Sequence, residues 1–169
     1  MRMRRLMLLP VAVAAAVLGV ALAPPALAAP VHIENWNNIC LGIHGSSIYP
    51  GSPAAVGTCV NTPTQNWDKI NLVPLNKGGT TVIAMQFRNR TVNQLCLGVT
   101  GVPTTGDKAL VQGACQPTSD LSQLWYWSSS SPSWNQLKNA KSDKCAGISG
   151  TRVYEQPCVS GAHQLWKTY

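Results

Sequence analysis

Three short strings in this chain answer to one another: Cys40-Leu41-Gly42-Ile43-His44-Gly45, Cys96-Leu97-Gly98-Val99-Thr100-Gly101 and Cys145-Ala146-Gly147-Ile148-Ser149-Gly150. Each reads C-x-G-[IV]-x-G, and a second cysteine (Cys59, Cys115, Cys158) follows 19, 19 and 13 positions after the first. A Q-x-W triplet comes next, at Gln65-Asn66-Trp67, Gln123-Leu124-Trp125 and Gln164-Leu165-Trp166. Upstream of each first cysteine sits an apolar-x-Asn string: Ile33-Glu34-Asn35, Phe87-Arg88-Asn89 and Leu137-Lys138-Asn139. Four landmarks recur three times in one order. Such a period marks a supersecondary unit that cannot bury its apolar face alone and must close against its copies. The repeats run over 31–78, 79–131 and 132–169.

Within each repeat, short apolar stretches such as Thr81–Phe87 are broken by Gly, Pro, Asn and Ser every few residues. That punctuation suits short strands and turns and leaves no room for long helices. The run Ser128-Ser129-Ser130-Ser131-Pro132-Ser133 has the composition of a linker, yet only 36 residues follow it, too few to fold alone. It is read as the loop between the second and third repeats. The expectation is one all-β domain of three units around a shared core.

The formal charge of +7 has to be located before it is interpreted. Arg2, Arg4 and Arg5 precede an apolar run, Leu6 to Ala23, that ends in Pro24-Pro25-Ala26-Leu27-Ala28. A basic head, an apolar middle and an A-x-A ending make a secretory signal peptide. Residues 1–28 are therefore expected to be removed, leaving no membrane span and an exported, extracellular protein. Three positive charges leave with them, so +7 falls to +4. All six cysteines lie beyond the cut and none forms a C-x-x-C pair. In an oxidising compartment disulfides are the expected state rather than a metal site, although six cysteines allow 15 complete pairings.

A Q-x-W triplet behind a cysteine pair in each third resembles the ricin B-type lectin family, and the resemblance covers residues 31–169. It implies a β-trefoil with one disulfide per repeat: Cys40–Cys59, Cys96–Cys115 and Cys145–Cys158. It also implies scaffold roles for the triplets. Trp67, Trp125 and Trp166 become core aromatics, and Gln65, Gln123 and Gln164 bind backbone of their own repeat. The repeated glycines are read as sites of positive φ or close approach.

Sugar binding in that family uses a carboxylate to clamp two hydroxyls, an aromatic face to stack on the ring, and an amide. The acid usually sits second after the first cysteine, where this chain has Gly42, Gly98 and Gly147. The stacking aromatic usually lies two residues before the second cysteine, where it has Gly57, Gly113 and Gln156. The amide usually precedes the triplet, where it has Thr64, Ser122 and His163. The candidate carbohydrate-binding residues that remain are His44 and Tyr49 in the first repeat and Tyr154, Gln156 and His163 in the third. Three further tryptophans stand outside the triplets: Trp36, Trp127 and Trp134. The last two flank the serine run, so they either plug an end of the barrel or offer a stacking surface away from the usual pockets.

Other classes fare worse. Only 11% of residues are charged, and the six acids fall as singletons, with no carboxylate pair for glycoside hydrolysis. The chain has no G-x-S-x-G, H-E-x-x-H, Walker or dinucleotide string, and its cysteines are committed to disulfides. The expectation is a non-enzyme without cofactor or metal. The remaining positive charge is dispersed apart from Arg88/Arg90 and Lys138/Lys141/Lys144, so a nucleic-acid partner is not expected. The reading is a monomeric, non-catalytic carbohydrate-binding module with degenerate sugar sites, its partner a glycan or polysaccharide such as a cell-wall polymer. The alternative is a trefoil reused for contact with a protein partner, as an inhibitor or toxin-delivery subunit.

Overall fold

The computed structural model describes residues 29–100, 107–131 and 133–169. The leader read at 1–28 lies outside the described residues. The first repeat supplies β1 (Ile33–Asn35), β2 (Ile39–Ile43), β3 (Ala54–Thr58) and β4 (Trp67–Lys77). The second supplies β5 (Thr80–Asn89), β6 (Cys96–Val99), β7 (Lys108–Gly113) and β8 (Trp125–Trp127). The third supplies β9 (Asn135–Asn139), β10 (Cys145–Ser149), β11 (Arg152–Gln156) and β12 (Leu165–Thr168).

Six strands form a closed antiparallel barrel. β1 pairs with β12, β12 with β9, β9 with β8, β8 with β5 and β5 with β4. The ring closes where Val31 and Trp67 exchange backbone hydrogen bonds of 2.9 and 3.0 Å. The other six strands are three hairpins, β2–β3, β6–β7 and β10–β11, which meet one another through β11–β3, β11–β7 and the Pro53–Val111 bridge. A six-stranded barrel capped by three mutually paired hairpins is a β-trefoil, and closure leaves the barrel no free strand edge.

The core repeats the sequence landmarks as layers of three. Ile33, Phe87 and Leu137 come from the apolar-x-Asn strings, and Leu41, Leu97 and Ala146 from the position after each first cysteine. Ala54, Leu110 and Val153 come from the second strand of each hairpin, and Trp67, Trp125 and Trp166 from the triplets. All twelve are fully buried in one cluster. Around them, Trp36 N donates to Leu165 O (3.0 Å), Arg90 N to Asn66 O (3.1 Å) and Ala140 N to Leu124 O (2.8 Å). Each bond joins the residue after a repeat asparagine to the middle of the preceding Q-x-W, so the repeats are stitched head to tail.

The triplets hold the hairpins. Gln65 donates to Thr58 O (3.0 Å) and accepts from Val60 N (2.8 Å), the neighbours of Cys59 on either side. Gln123 does the same around Cys115, at Ala114 O and Gln116 N, and Gln164 around Cys158, at Pro157 O and Val159 N. The indole N–H groups of Trp67, Trp125 and Trp166 donate to Leu41, Leu97 and Ala146 O at 3.1, 3.0 and 2.9 Å. Disulfides join Cys40–Cys59, Cys96–Cys115 and Cys145–Cys158, the pairing that the resemblance implied.

Two variants measure this framework in denaturant titrations. Gln123→Ala strands a carbonyl and an N–H beside Cys115 and should cost about 1–3 kcal/mol, at the lower end where water reaches them. Cys96→Ser with Cys115→Ser opens a 19-residue loop and should cost on the order of 3 kcal/mol. Unchanged midpoints would count against both roles.

Candidate functional site

In the first two repeats the hairpin meets its triplet in a shallow cleft, and the two clefts are lined by matching residues. One of about 230 Å³ is bounded by Gly42, His44, Gly57, Val60, Thr64 and Gln65. A second, of about 370 Å³, is bounded by Gly98, Thr100, Gly113, Gln116, Ser122 and Gln123, the threefold equivalents in the same order. Clefts of this size suit one sugar-sized ring rather than a deeply enclosed ligand.

The floor is packed closely over the glycines at the acid positions. A Cβ on Gly42 would lie 2.7 Å from Gln65 Cγ, and one on Gly98 would lie 2.8 Å from Gln123 Cγ. The glutamine stem occupies the space in which a carboxylate side chain would begin. By contrast, Gly45 and Gly150 stand in open space at φ of 62° and 61°, where the backbone itself favours glycine. The stacking positions differ again. A Cβ on Gly57 or Gly113 would meet its nearest neighbour at 4.0 or 3.7 Å, ordinary van der Waals distance.

The third repeat departs from the other two. Gln156, the counterpart of Gly57 and Gly113, turns its side chain into the space over Gly147. Its amide donates to Asp107 Oδ2 at 3.0 Å, an acid contributed by the second repeat. Tyr154 lies half-buried on β11, paired with Gly147 and Ala109. His163 occupies the 3-10 turn Ala162–Gln164 with its ring against Gly161. Gln156 and Tyr154 therefore both adjoin Gly147, while His163 lies against Gly161.

The first-repeat candidates face different clefts. His44 is exposed and lines the first. Tyr49 is 69% exposed on a loop whose Gly51 lines the second cleft. Buried Gln112 clamps that loop by donating to Ser47 O (2.9 Å) and Tyr49 O (2.8 Å), while accepting from Asn89 Nδ2 (2.6 Å). No sequence landmark announced this clamp, because Gln112 replaces Val56 and Glu155 of the other hairpins without a repeat to flag it.

Of the two basic clusters, the arginine pair is partnered by an acid. Arg88 and Arg90 both contact Asp68, at 3.4 and 2.8 Å, beside a cavity of about 420 Å³. Lys77 contacts Asp143 at 2.8 Å, and Asp143 also accepts from Tyr126 OH at 2.8 Å. Burial pushes the Asp143 carboxyl up, but these two hydrogen bonds outweigh it and hold the group below its ordinary value. A hydrogen bond from Ser122 N likewise holds Asp120 down. Among the described residues no cluster of His, Cys, Asp and Glu could hold a metal ion, and no helix is long and apolar enough to cross a membrane.

The chain matches no protein-family model, and no curated protein sequence matches it. Solved structures with the same fold do. A designed threefold-symmetric protein, ThreeFoil, superposes with a TM-score of 0.68 at 14% identity, covering 82% of this chain and 96% of its own. The Polyporus squamosus lectin, solved with a sialylated influenza-binding epitope, gives 0.57 at 16%, covering 83% and 48%. The cytolethal distending toxin of Actinobacillus actinomycetemcomitans gives 0.62 at 14%, covering 85% and 92%. At these identities the likeness establishes the β-trefoil fold.

The glycine contacts make a paired prediction for thermal melts. Gly98→Asp should be destabilising by about 1–3 kcal/mol, because Gln123 must leave its hydrogen bonds to admit a Cβ. Gly113→Tyr should fold with little loss, since its Cβ has room and an aromatic suits a strand. Equal stability for the two would remove this account of the missing acid.

Proposed function

We propose that this protein is an exported, monomeric, non-catalytic glycan-binding module, a degenerate member of the ricin B-type lectin group. The observation that carries the reading is the pair of threefold-equivalent clefts, open at the same face of two hairpins and lined by matching backbone and hydroxyl groups. The lectin among the structural neighbours supports the same ligand class. Export draws support from the leader pattern in residues 1–28 and from three disulfides, which persist in oxidising compartments.

In each cleft the ligand would be held by hydroxyl and backbone groups without a carboxylate clamp. His44 in the first cleft and the Tyr49 loop beside the second are the side chains placed to add contacts. In the third repeat, Gln156 and Asp107 form the polar edge near Tyr154 and His163. Loss of the charge-assisted contacts removes the strongest hydrogen bonds available to a neutral polyol, so affinity for a single sugar should be low.

A second reading, a trefoil used against a protein partner, takes support from the toxin neighbour and from the Gln156 side chain filling the third site. One experiment separates the two. The protein should bind small sugars on a glycan panel, be competed off by soluble sugar, and bind them more weakly in Val60→Arg, whose exposed side chain borders the first cleft. Adding the ring back with Gly113→Tyr should strengthen sugar binding several-fold. Absence of retention on every glycan, with a stable stoichiometric protein partner, would select the second reading.

A further inference from the structure

We propose a second carbohydrate site on the outer wall of the barrel, an aromatic strip along the seam between β1 and β12 that takes an extended neutral polysaccharide. It rests on the reading of the ligand as a glycan, but not on the hairpin clefts.

Side chains alternate across a barrel strand. With Ile33, Asn35 and Trp166 inside, His32, Glu34 and Trp36 of β1 and its flanks point out beside Lys167 and Tyr169 of β12 and its C-terminal flank. His32 and Tyr169 exchange backbone hydrogen bonds, and their rings stack at 5.4 Å with 15° between planes. Trp36 packs edge to face with Trp134 from the start of β9, at 5.4 Å and 64°. Between the two aromatic groups, Lys167 pairs with Glu34 at 2.9 Å and lies 4.3 Å from the Trp134 ring and 5.7 Å from Tyr169. Trp36 is 50% exposed and Tyr169 58%. From His32 to Trp36 the strand rise gives roughly 13 Å, the reach of more than one sugar ring.

The trefoil supplies its own control, because the same seam occurs three times. The positions of Trp36 and Tyr169 are taken by Arg90 and Ile70 between β5 and β4, and by Ala140 and Ser128 between β9 and β8. The ion pair between the aromatics recurs with its polarity reversed, as Arg88 with Asp68. The scaffold therefore needs no aromatic at either place. Only the first seam pairs two exposed ring surfaces, and an exposed aromatic surface of this kind marks an interaction site.

The chemistry favours a neutral polysaccharide. Flat rings offer faces to the C–H side of a pyranose, and the Lys167 ammonium, with three donors, can donate to a hydroxyl between them while keeping its bond to Glu34. The two charges neutralise each other, which removes the attraction an anionic polymer would need. A Lys–Glu pair at the centre also runs against protein interfaces, whose cores are depleted in both residues. Beyond Lys167, a cleft of about 230 Å³ lined by Ser129, Ser131 and Ser133 continues the hydroxyl-rich surface toward Trp127.

The test uses the mature chain and retention on insoluble cellulose, chitin and β-1,3-glucan. Trp36→Arg and Tyr169→Ser install the residues or residue types of the sister seams, so both should melt close to wild type. Each should weaken retention about tenfold on the polysaccharide that binds, the scale of one stacking contact, while Val60→Arg with Gln116→Arg, which obstructs both clefts, should lower small-sugar binding on a glycan panel and not this polymer retention. Loss in the cleft variant with full retention in Trp36→Arg would overturn the seam site and leave the clefts standing. Failure of wild type on all three polymers would also overturn it, whereas binding of small sugars on a glycan panel would still support the clefts. Concentration-dependent dimerisation that Trp36→Arg abolishes would assign the strip to a second copy instead.

Discussion

Three glutamine side chains hold the cap on this molecule. A primary amide presents one acceptor and donor N–H groups in a single rigid plane. That plane spans the carbonyl before and the N–H after the second cysteine of each repeat, at Gln65, Gln123 and Gln164. Two residues on, the tryptophan reaches the carbonyl after the first cysteine from inside the barrel. One triplet thus fixes both ends of its hairpin, and the disulfide ties those ends covalently. The same geometry has a consequence at the surface. In this chain the glutamine stem crosses the position where a side chain on Gly42 or Gly98 would begin, at 2.7 and 2.8 Å from a Cβ there. An acid at either place would require that stem to shift.

Symmetry is strict inside and loose outside. The core layers hold a residue from every repeat, while the barrel wall carries an aromatic strip at one seam and ion pairs at another. Packing explains the difference. A buried position is constrained by its neighbours' volumes, so a threefold backbone imposes similar residues three times. A wall position meets solvent and is free to diverge. Departures from threefold likeness on the outside therefore concentrate much of what is specific to this protein, as at the Gln156 side chain and the Trp36 strip, while the buried Gln112 clamp is a departure inside.

The fold was legible because its determinants repeat. Cysteine pairs, triplets and the apolar-x-Asn strings each occur three times, and a pattern seen three times needs no alignment. The Cys pairing followed from the family likeness, and the structure has the same three loops. The sites were less legible, for a physical reason. Tyr49 belongs by sequence to the first repeat, yet its loop reaches the second cleft, because Gln112 holds it there across a sequence separation of 63. Of the tryptophans left open, Trp127 packs against Phe87 in the core. Trp134 instead meets Trp36, 98 residues away, across strands β9, β12 and β1. That meeting depends on how the first and last strands close the barrel, which periodicity alone does not reveal. Tyr169, at the C-terminal end of β12, carried no motif at all.

The low charge ties these strands of argument together. The chain has six acids, and each has a structural partner. Glu34 pairs with Lys167, Asp68 with two arginines and Asp143 with Lys77. Asp107 accepts from Gln156, Asp120 caps the turn at Ser122, and buried Glu155 accepts from Ser142. Carboxylates so engaged would have to break existing bonds before clamping a hydroxyl, at a cost comparable to what the new contact returns. The solvent-exposed parts of Trp36 and Tyr169, beyond their contacts with Trp134 and His32, carry no such commitment, since a pyranose stacked there displaces water. A chain with this distribution of acids and aromatics is suited to hold sugars by surface and shape, over several weak contacts along a polymer rather than one tight contact with a single residue.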